Sequence, residues 1–188
     1  MKKGWIILGV LLVSGISIFS WFKNGYNTAI TKDEIVRLAW AQVENQLQRR
    51  NDLIPNLVNT VKGFAAQEKG IFTEVTKLRS QWGAAQTVEE KITTANQMTS
   101  ALSRLLLVVE NYPELKSNEN FLALQSQLEG TENRLAVERG RYNEAVQDFN
   151  RFHRSLFGRF FTQWAGVDKE AVYFQAAESS KQVPEVKF

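Results

Sequence analysis

SNENFLALQSQLEGTENRLAVERGRYNEAVQDFNRFHRSL, residues 117–156, decides the fold. It holds no proline, and its apolar or small residues recur at alternating spacings of three and four. Phe121, Leu124, Leu128, Thr131, Leu135, Tyr142, Ala145, Phe149, Phe152 and Leu156 fall on one face of a helix, with one interruption at Glu138. At roughly 1.5 Å per residue such a helix exceeds about 55 Å. A single apolar seam on so long a helix is not stable in isolation, so the spacing predicts partner helices.

The 188-residue chain upstream supplies them. Thr31 to Glu34 reads as a capping box before a seam of Val36, Ala39, Trp40, Val43 and Leu47, which closes near Arg49 and Arg50, cations suited to a helix's negative end. Asn51 to Pro55 then reads as a tight turn into a second helix, the alternative being one helix kinked through Pro55. The second seam runs Ile54, Leu57, Val61, Phe64, Ile71, Val75, Leu78 and Trp82, interrupted at Glu68. Thr87 to Glu90 forms another capping box. It opens a third seam of Ile92, Ala95, Met98, Leu102, Leu105 and Val109, which Tyr112 and Pro113 terminate. Four apolar-striped helices with short connections predict an all-α, up-down-up-down antiparallel four-helix bundle. Glu68 and Glu138, each at a seam position, either snorkel at the core edge or form a buried polar layer with Arg134, Arg139 or Arg141.

The two ends of the chain differ in character from the body. Residues 1–23 (MKKGWIILGVLLVSGISIFSWFK) place two lysines before an uncharged run and end on Trp21, Phe22 and Lys23. That pattern reads as a single transmembrane anchor with an aromatic and cationic edge. The alternative is a cleaved signal peptide, for which Gly15-Ile16-Ser17 offers a weak small-x-small pattern, but bulky Ile18, Phe19, Trp21 and Phe22 follow immediately. Residues 24–30 read as a linker, though Gly25 is the only breaker, and a straight continuation of the anchor helix stays open. The bundle then spans 31–158. Residues 159–188 read as an aromatic and amphipathic tail that begins within FGRFFTQWAG. In the predicted bundle the start of helix one and the end of helix four share one end, close to the anchor. The expected membrane contacts are therefore Trp21, Phe22, Arg151, Arg154, Phe157, Arg159, Phe160, Phe161 and Trp164. The alternative is that these aromatics cover the open end of the bundle.

Composition excludes several activities. With no cysteine there is no disulfide, thiolate metal site or thiol nucleophile, and the one histidine, His153, cannot supply the paired ligands of a di-iron bundle. No glycine-rich phosphate loop follows a strand. The net charge of +3 and the acids interleaved with Arg134, Arg139 and Arg141 give no nucleic-acid footprint. A carboxylate pair such as Glu68 with Glu138 could do acid–base work, but nothing in the sequence suggests a substrate pocket. The expectation is a non-enzyme with no catalytic residues, cofactor or metal. Glu129, Glu132, Asn133, Arg134, Arg139, Arg141 and Asn143 are denser than solubility requires and form the expected interaction surface, where charge pairs would set register and partner choice.

RRNDLIPNLVNTVKGFA (49–65) and VVENYPELKSNENFLALQSQLEGTENRLAVERGRYNEAVQDFN (108–150) closely resemble the LemA family. The Tyr26-Asn27 pair, Ala39-Trp40 and the closing YFQAAESSKQVPEVKF are similar to it as well. One departure is RSLFGRFFTQW, where many members have a proline-containing turn after helix four. The resemblance implies a bacterial membrane-anchored four-helix bundle without established catalytic residues. It also implies association with HtpX-type membrane metalloproteases and, through a magnetosome member, membrane shaping. The resulting expectation is a self-associating scaffold or adaptor of the bacterial envelope, with membrane shaping or lipid binding as the alternative. It would sit in the inner membrane by a single pass, in contact with the lipid bilayer, with the bundle on the outer, periplasmic face. The charge count on the two sides of the anchor is nearly a tie and leaves orientation open.

Overall fold

The computed structural model describes residues 2–175, and these are helical apart from turns and a closing segment without regular structure, with no strand among them. The helices are α1 (Lys2–Phe64), α2 (Lys69–Ala84), α3 (Val88–Val109), α4 (Pro113–Lys116), α5 (Glu119–His153) and α6 (Leu156–Trp164). The expected tail positions 176–188 lie outside the described residues. The chain forms two compact units. The first comprises Met1–Trp40 and Asn143–Ala171, the second Ala41–Tyr142 and Val172–Phe188.

Two expected breaks are absent, because α1 is one uninterrupted 63-residue helix. Residues 24–30 are helical, and Thr31 with Glu34 lies inside the helix rather than capping it. Lys32 beside them instead pairs with Asp148 of α5. Pro55 also lies inside α1. Proline has no N–H, so the carbonyl four residues back, that of Asn51, loses its helical donor. Arg79 of α2 supplies a replacement: its Nε donates to the Asn51 carbonyl at 3.2 Å. Replacing Arg79 with methionine is expected to destabilise the second unit by about 1–2 kcal/mol, since it orphans an acceptor on a buried residue. In a Pro55→Ala background, where the replaced position regains its N–H, the same change should cost far less. Urea unfolding of the four proteins of that cycle measures the difference.

The real break comes at residues 65–68, inside the expected second helix, where Glu68 becomes the residue preceding α2. Its interruption of the seam is thus a turn, and Glu68 joins no buried layer. The start of α3, the stop at Pro113 and the start of α5 follow the sequence. Thr87 Oγ1 accepts from the Glu90 N–H at 3.2 Å, and Glu90 Oε2 accepts from the Thr87 N–H at 3.1 Å. The Glu90 carboxyl is held below its usual range, chiefly by the bonds it accepts from the backbone N–H groups of Gln86 and Thr87. Pro113 sits in the first turn of α4, where a missing donor costs nothing. Asn118 Oδ1 caps α5 by accepting from the Phe121 N–H at 3.1 Å.

In the second unit one core joins Ile54, Leu57 and Val61 of α1 to Phe72, Val75 and Leu78 of α2, to Met98, Leu102 and Leu105 of α3, and to Phe121 and Leu128 of α5. Cross-helix polar contacts set the register. Glu44 pairs with Lys91, Arg104 with Glu74 at 2.5 Å, and Gln46 accepts from Arg134 at 3.4 Å.

In the first unit Val146 and Phe149 are buried, while Leu156 is 84% exposed because α5 has ended at His153. The turn there uses Ser155 and Gly158 in place of proline. Ser155 Oγ accepts from the Gly158 N–H at 3.1 Å. A Cβ on Gly158 would strike the Phe152 carbonyl, so only glycine fits. The expected boundary at 158/159 therefore falls inside α6.

Candidate functional site

Two clusters carry most of the unusual chemistry, one in each unit. In the first unit α6 packs against the helical stretch just beyond the apolar part of α1. The Trp21 ring meets Phe157 edge-on at 5.2 Å and Phe161 at 5.1 Å; Phe22 meets Phe160, Phe161 and Trp164 at 6.2, 5.7 and 5.0 Å. Such edge-to-face geometries are the favoured ones for aromatic pairs. Phe161 is buried on the backbone of Gly25, where any Cβ would collide with its ring. Gly25 thus serves as a socket rather than a break.

The sequence-predicted membrane contacts divide accordingly. Trp21, Phe22, Phe157, Phe160, Phe161 and Trp164 come together. Phe161 faces inward, whereas Phe157 and Trp164 remain more than half exposed. Arg151 is paired with Asp148 at 3.0 Å, and Arg154 grips Glu170 through two bonds of 2.9 and 2.6 Å. The Asp148 carboxyl is held low chiefly by its bond from Lys32, and the Glu170 carboxyl chiefly by that from Arg154. Arg159 is exposed.

The segment after α6 returns along α5. Asn150, itself buried, binds both backbone groups of Ala171, donating to its carbonyl and accepting from its N–H at 2.9 Å each. His153 Nδ1 lies 2.9 Å from Thr162 Oγ1. That hydroxyl also lies 3.1 Å from the Arg159 carbonyl.

The second unit holds a charged layer that the sequence placed elsewhere. Arg50 is 1% exposed and donates to Thr99 Oγ1 and Glu132 Oε1 at 2.9 Å each and to the Ala95 carbonyl at 3.1 Å. Arg139 lies near the same carboxylate, with Phe174 stacked 4.3 Å from its guanidinium. Burial pulls the Arg139 guanidinium below its usual range, with Glu132 opposing that and Arg50 adding to it. The polar layer therefore consists of Arg50, Glu132 and Arg139. Glu138 instead pairs with Arg141 at 2.8 Å.

Of the expected interaction surface, Glu129, Asn133, Arg134 and Arg141 are exposed, whereas Glu132 and Arg139 turn inward. Asn143 belongs to the first unit. Sequence reasoning missed Arg50 because it looked like the end of a helix; its signal was an apolar spacing that continues through Pro55.

Tyr142 donates to the Val172 carbonyl at 2.6 Å, and burial pushes its phenol up to about 12. A raised phenol pKa means that the folded protein keeps a proton which the unfolded chain loses near pH 10. Its contribution is whole below that pH and is lost as pH rises from about 10 toward about 12. Absorbance at 295 nm should show one of the four tyrosines titrating late, and Tyr142→Phe should remove that step and flatten the alkaline loss of stability.

Little in either cluster is arranged for catalysis. Among the described residues no three His, Asp or Glu side chains converge as metal ligands. An open groove between α1 and α2, lined by Asn59, Lys62, Thr73, Thr76 and Lys77 among others, contains no titratable acid or histidine.

Two magnetosome proteins of Paramagnetospirillum magneticum (strain AMB-1), MamQ 1 and MamQ 2, are each 24% identical to the chain over 170 residues. The alignments cover 77% of this chain and 62% of each relative. The magnetosome protein MamQ of Magnetospirillum gryphiswaldense (strain MSR-1) is 22% identical over 171 residues, covering 77% of this chain and 63% of the relative. The chain thus spans about three-fifths of the length of these curated relatives. The family model described as LemA family matches residues 39–188, from the Ala39-Trp40 pair to the last residue. The chain belongs to the LemA family.

Proposed function

We propose that this protein is a non-enzymatic, membrane-anchored scaffold whose first helix crosses the bilayer and continues directly into an up-down-up-down four-helix bundle. The observation that carries this reading is α1 itself. From Trp5 to Phe19 its large apolar side chains are more than half exposed, and the helix is long and apolar enough to cross a membrane. An uncovered apolar surface of that size in water would drive aggregation, whereas in hydrocarbon it is at rest. The antiparallel arrangement is supported by the pairings of α1 with α5, where Lys32 meets Asp148 and Arg50 meets Glu132, and of α2 with α3, where Glu74 meets Arg104.

The scaffold associates with further copies through the exposed charges of α5 and faces the periplasm from the inner membrane of a bacterial cell. An HtpX-type membrane metalloprotease is the partner class implied by the family. The magnetosome assignment of the relatives favours, as a second reading, a role in shaping or binding membrane.

Crosslinking in native membranes followed by mass measurement tests the scaffold. Covalent dimers or larger adducts, reduced by Arg134→Glu and Arg141→Glu, are the expected result. A protein that stays monomeric and without adducts under the same treatment contradicts it. Protease accessibility from each side of sealed vesicles decides orientation.

A further inference from the structure

We infer that α6 is a second, interfacial membrane contact, inserting Leu156, Phe157, Phe160 and Trp164 among the lipids beside the anchor; this rests on α1 crossing the bilayer. The helix has three sectors. With about 100° between successive residues, Leu156, Phe160, Trp164 and Phe157 share an arc about 100° wide, Phe161, Gly158 and Thr162 a second, and Arg159 with Gln163 a third. The second arc is buried against the rest of the first unit. The first is exposed at 84, 57, 46 and 64% for Leu156, Phe157, Phe160 and Trp164 in turn. Trp21 and Phe22 cover that arc only in part, and its side chains are among the largest apolar groups in the helix.

Their occupant follows from continuity. Phe157 touches Trp21, and Phe160 and Trp164 touch Phe22. Trp21 and Phe22 stand directly after the exposed apolar run of α1. If that run lies in hydrocarbon, Trp21 and Phe22 lie at its boundary, where such rings are enriched, and the exposed arc of α6 continues the same surface. Arg159 and Gln163 beside it suit the headgroup layer.

The contact is apolar rather than electrostatic. Arg151 and Arg154 are already committed to Asp148 and Glu170, which leaves Arg159 as the cation of the helix itself. Anionic lipid and salt should therefore have small effects on it.

The absence of cysteine makes labelling direct. Full-length protein carrying single cysteines at Phe157, Phe160, Gln163 or Trp164 is labelled with an environment-sensitive fluorophore and reconstituted into phosphatidylcholine vesicles containing shallow spin-labelled lipid. Ser103→Cys on α3 serves as a water-exposed reference and Leu12→Cys as a deep one. The expected result is several-fold stronger quenching at the four α6 sites than at Ser103, nearly unchanged by anionic lipid or by salt. Because a dye can itself favour the membrane, the Gln163 label is repeated in a Phe157→Ser, Phe160→Ser, Trp164→Ser background, where quenching should fall to the reference.

Quenching at Leu12 with none at α6 overturns the inference and points to a second protein or copy on the exposed arc. Quenching confined to anionic vesicles also overturns it. No quenching at Leu12 means that the anchor reading itself has failed.

Discussion

Glu132→Leu should cost the second unit about 3–5 kcal/mol, because it leaves the Arg50 guanidinium buried without its counter-charge. Arg50 is 1% exposed, and its bonds to Thr99 and the Ala95 carbonyl neutralise no charge. Arginine cannot escape by losing its proton. Arg139 deepens the penalty, since the repulsion between the two guanidiniums is then no longer opposed by Glu132, and Nε and Nη2 of Arg139 are buried without hydrogen-bond partners.

The reverse change is milder. Arg50→Met removes the buried charge and keeps much of the volume, while Glu132, whose side chain is 32% exposed, retains water and Arg139. Such a replacement should cost about 1–2 kcal/mol. The double variant Arg50→Met, Glu132→Leu should be more stable than Glu132→Leu alone, as expected when a buried ion pair is replaced by packed apolar groups. Chemical unfolding of the full chain in detergent, followed by circular dichroism, measures all three. Equal losses for the two single variants would show that charge is not what the layer balances.

Phe161→Ala carries the second large effect, about 3–5 kcal/mol against the docking of α6. The Phe161 ring is 3% exposed and contacts Trp21, Phe22 and Phe160 while filling the space above Gly25. Phe157, one turn earlier and 57% exposed, should lose only about 0.5 kcal/mol on the same substitution. Gly25→Leu attacks the same joint from the other side and should also release α6. Tryptic cleavage after Arg159 is the readout: fast in Phe161→Ala and Gly25→Leu, slow in Phe157→Ala and wild type. Slow cleavage in all four would mean that α6 is held by something other than this socket.

Much of the helical frame was legible in the residues. In α5, Phe121, Leu128, Thr131, Leu135, Tyr142 and Phe149 are buried as their spacing requires. The seam missed Val146, which is buried where Ala145 was expected. An α-helix takes about 3.6 residues per turn against about 3.5 in a strict seven-residue repeat, so the stripe has rotated by that point. The same spacing argument yields the α3 core from Ile92 to Val109, and the Thr87 capping box marks its start.

What the residues did not display was the route of α1. Gly25 and Pro55 are both breakers by propensity, and both are overridden by tertiary contacts. Phe161 occupies the space that Gly25 leaves, and Arg79 repairs the bond that Pro55 removes. Those partners lie 136 and 24 positions further along the chain, beyond the reach of any local pattern. Missing the continuity also hid Arg50. An arginine at a helix end is a surface residue, whereas the same arginine inside a continuous helix points into the core. The candidate site was half legible: the aromatic residues were seen as a group, but the division between exposed and buried rings needed the phase of α6. Ion pairing of Arg151 and Arg154 depended on where residues 148 and 170 fall in space.

A cysteine accessibility scan along residues 8–38 in native membranes shows whether α1 runs unbroken from its apolar segment past residue 30. Positions such as Leu8 and Leu12 should resist a membrane-impermeant thiol reagent, and Ile35 and Leu38, which are 48 and 63% exposed, should react. Through residues 24–30 reactivity should rise and fall with the helical period of about 3.6 residues. A run of uniformly reactive positions at 24–30, or reaction at Leu12 in intact membranes, would contradict the account.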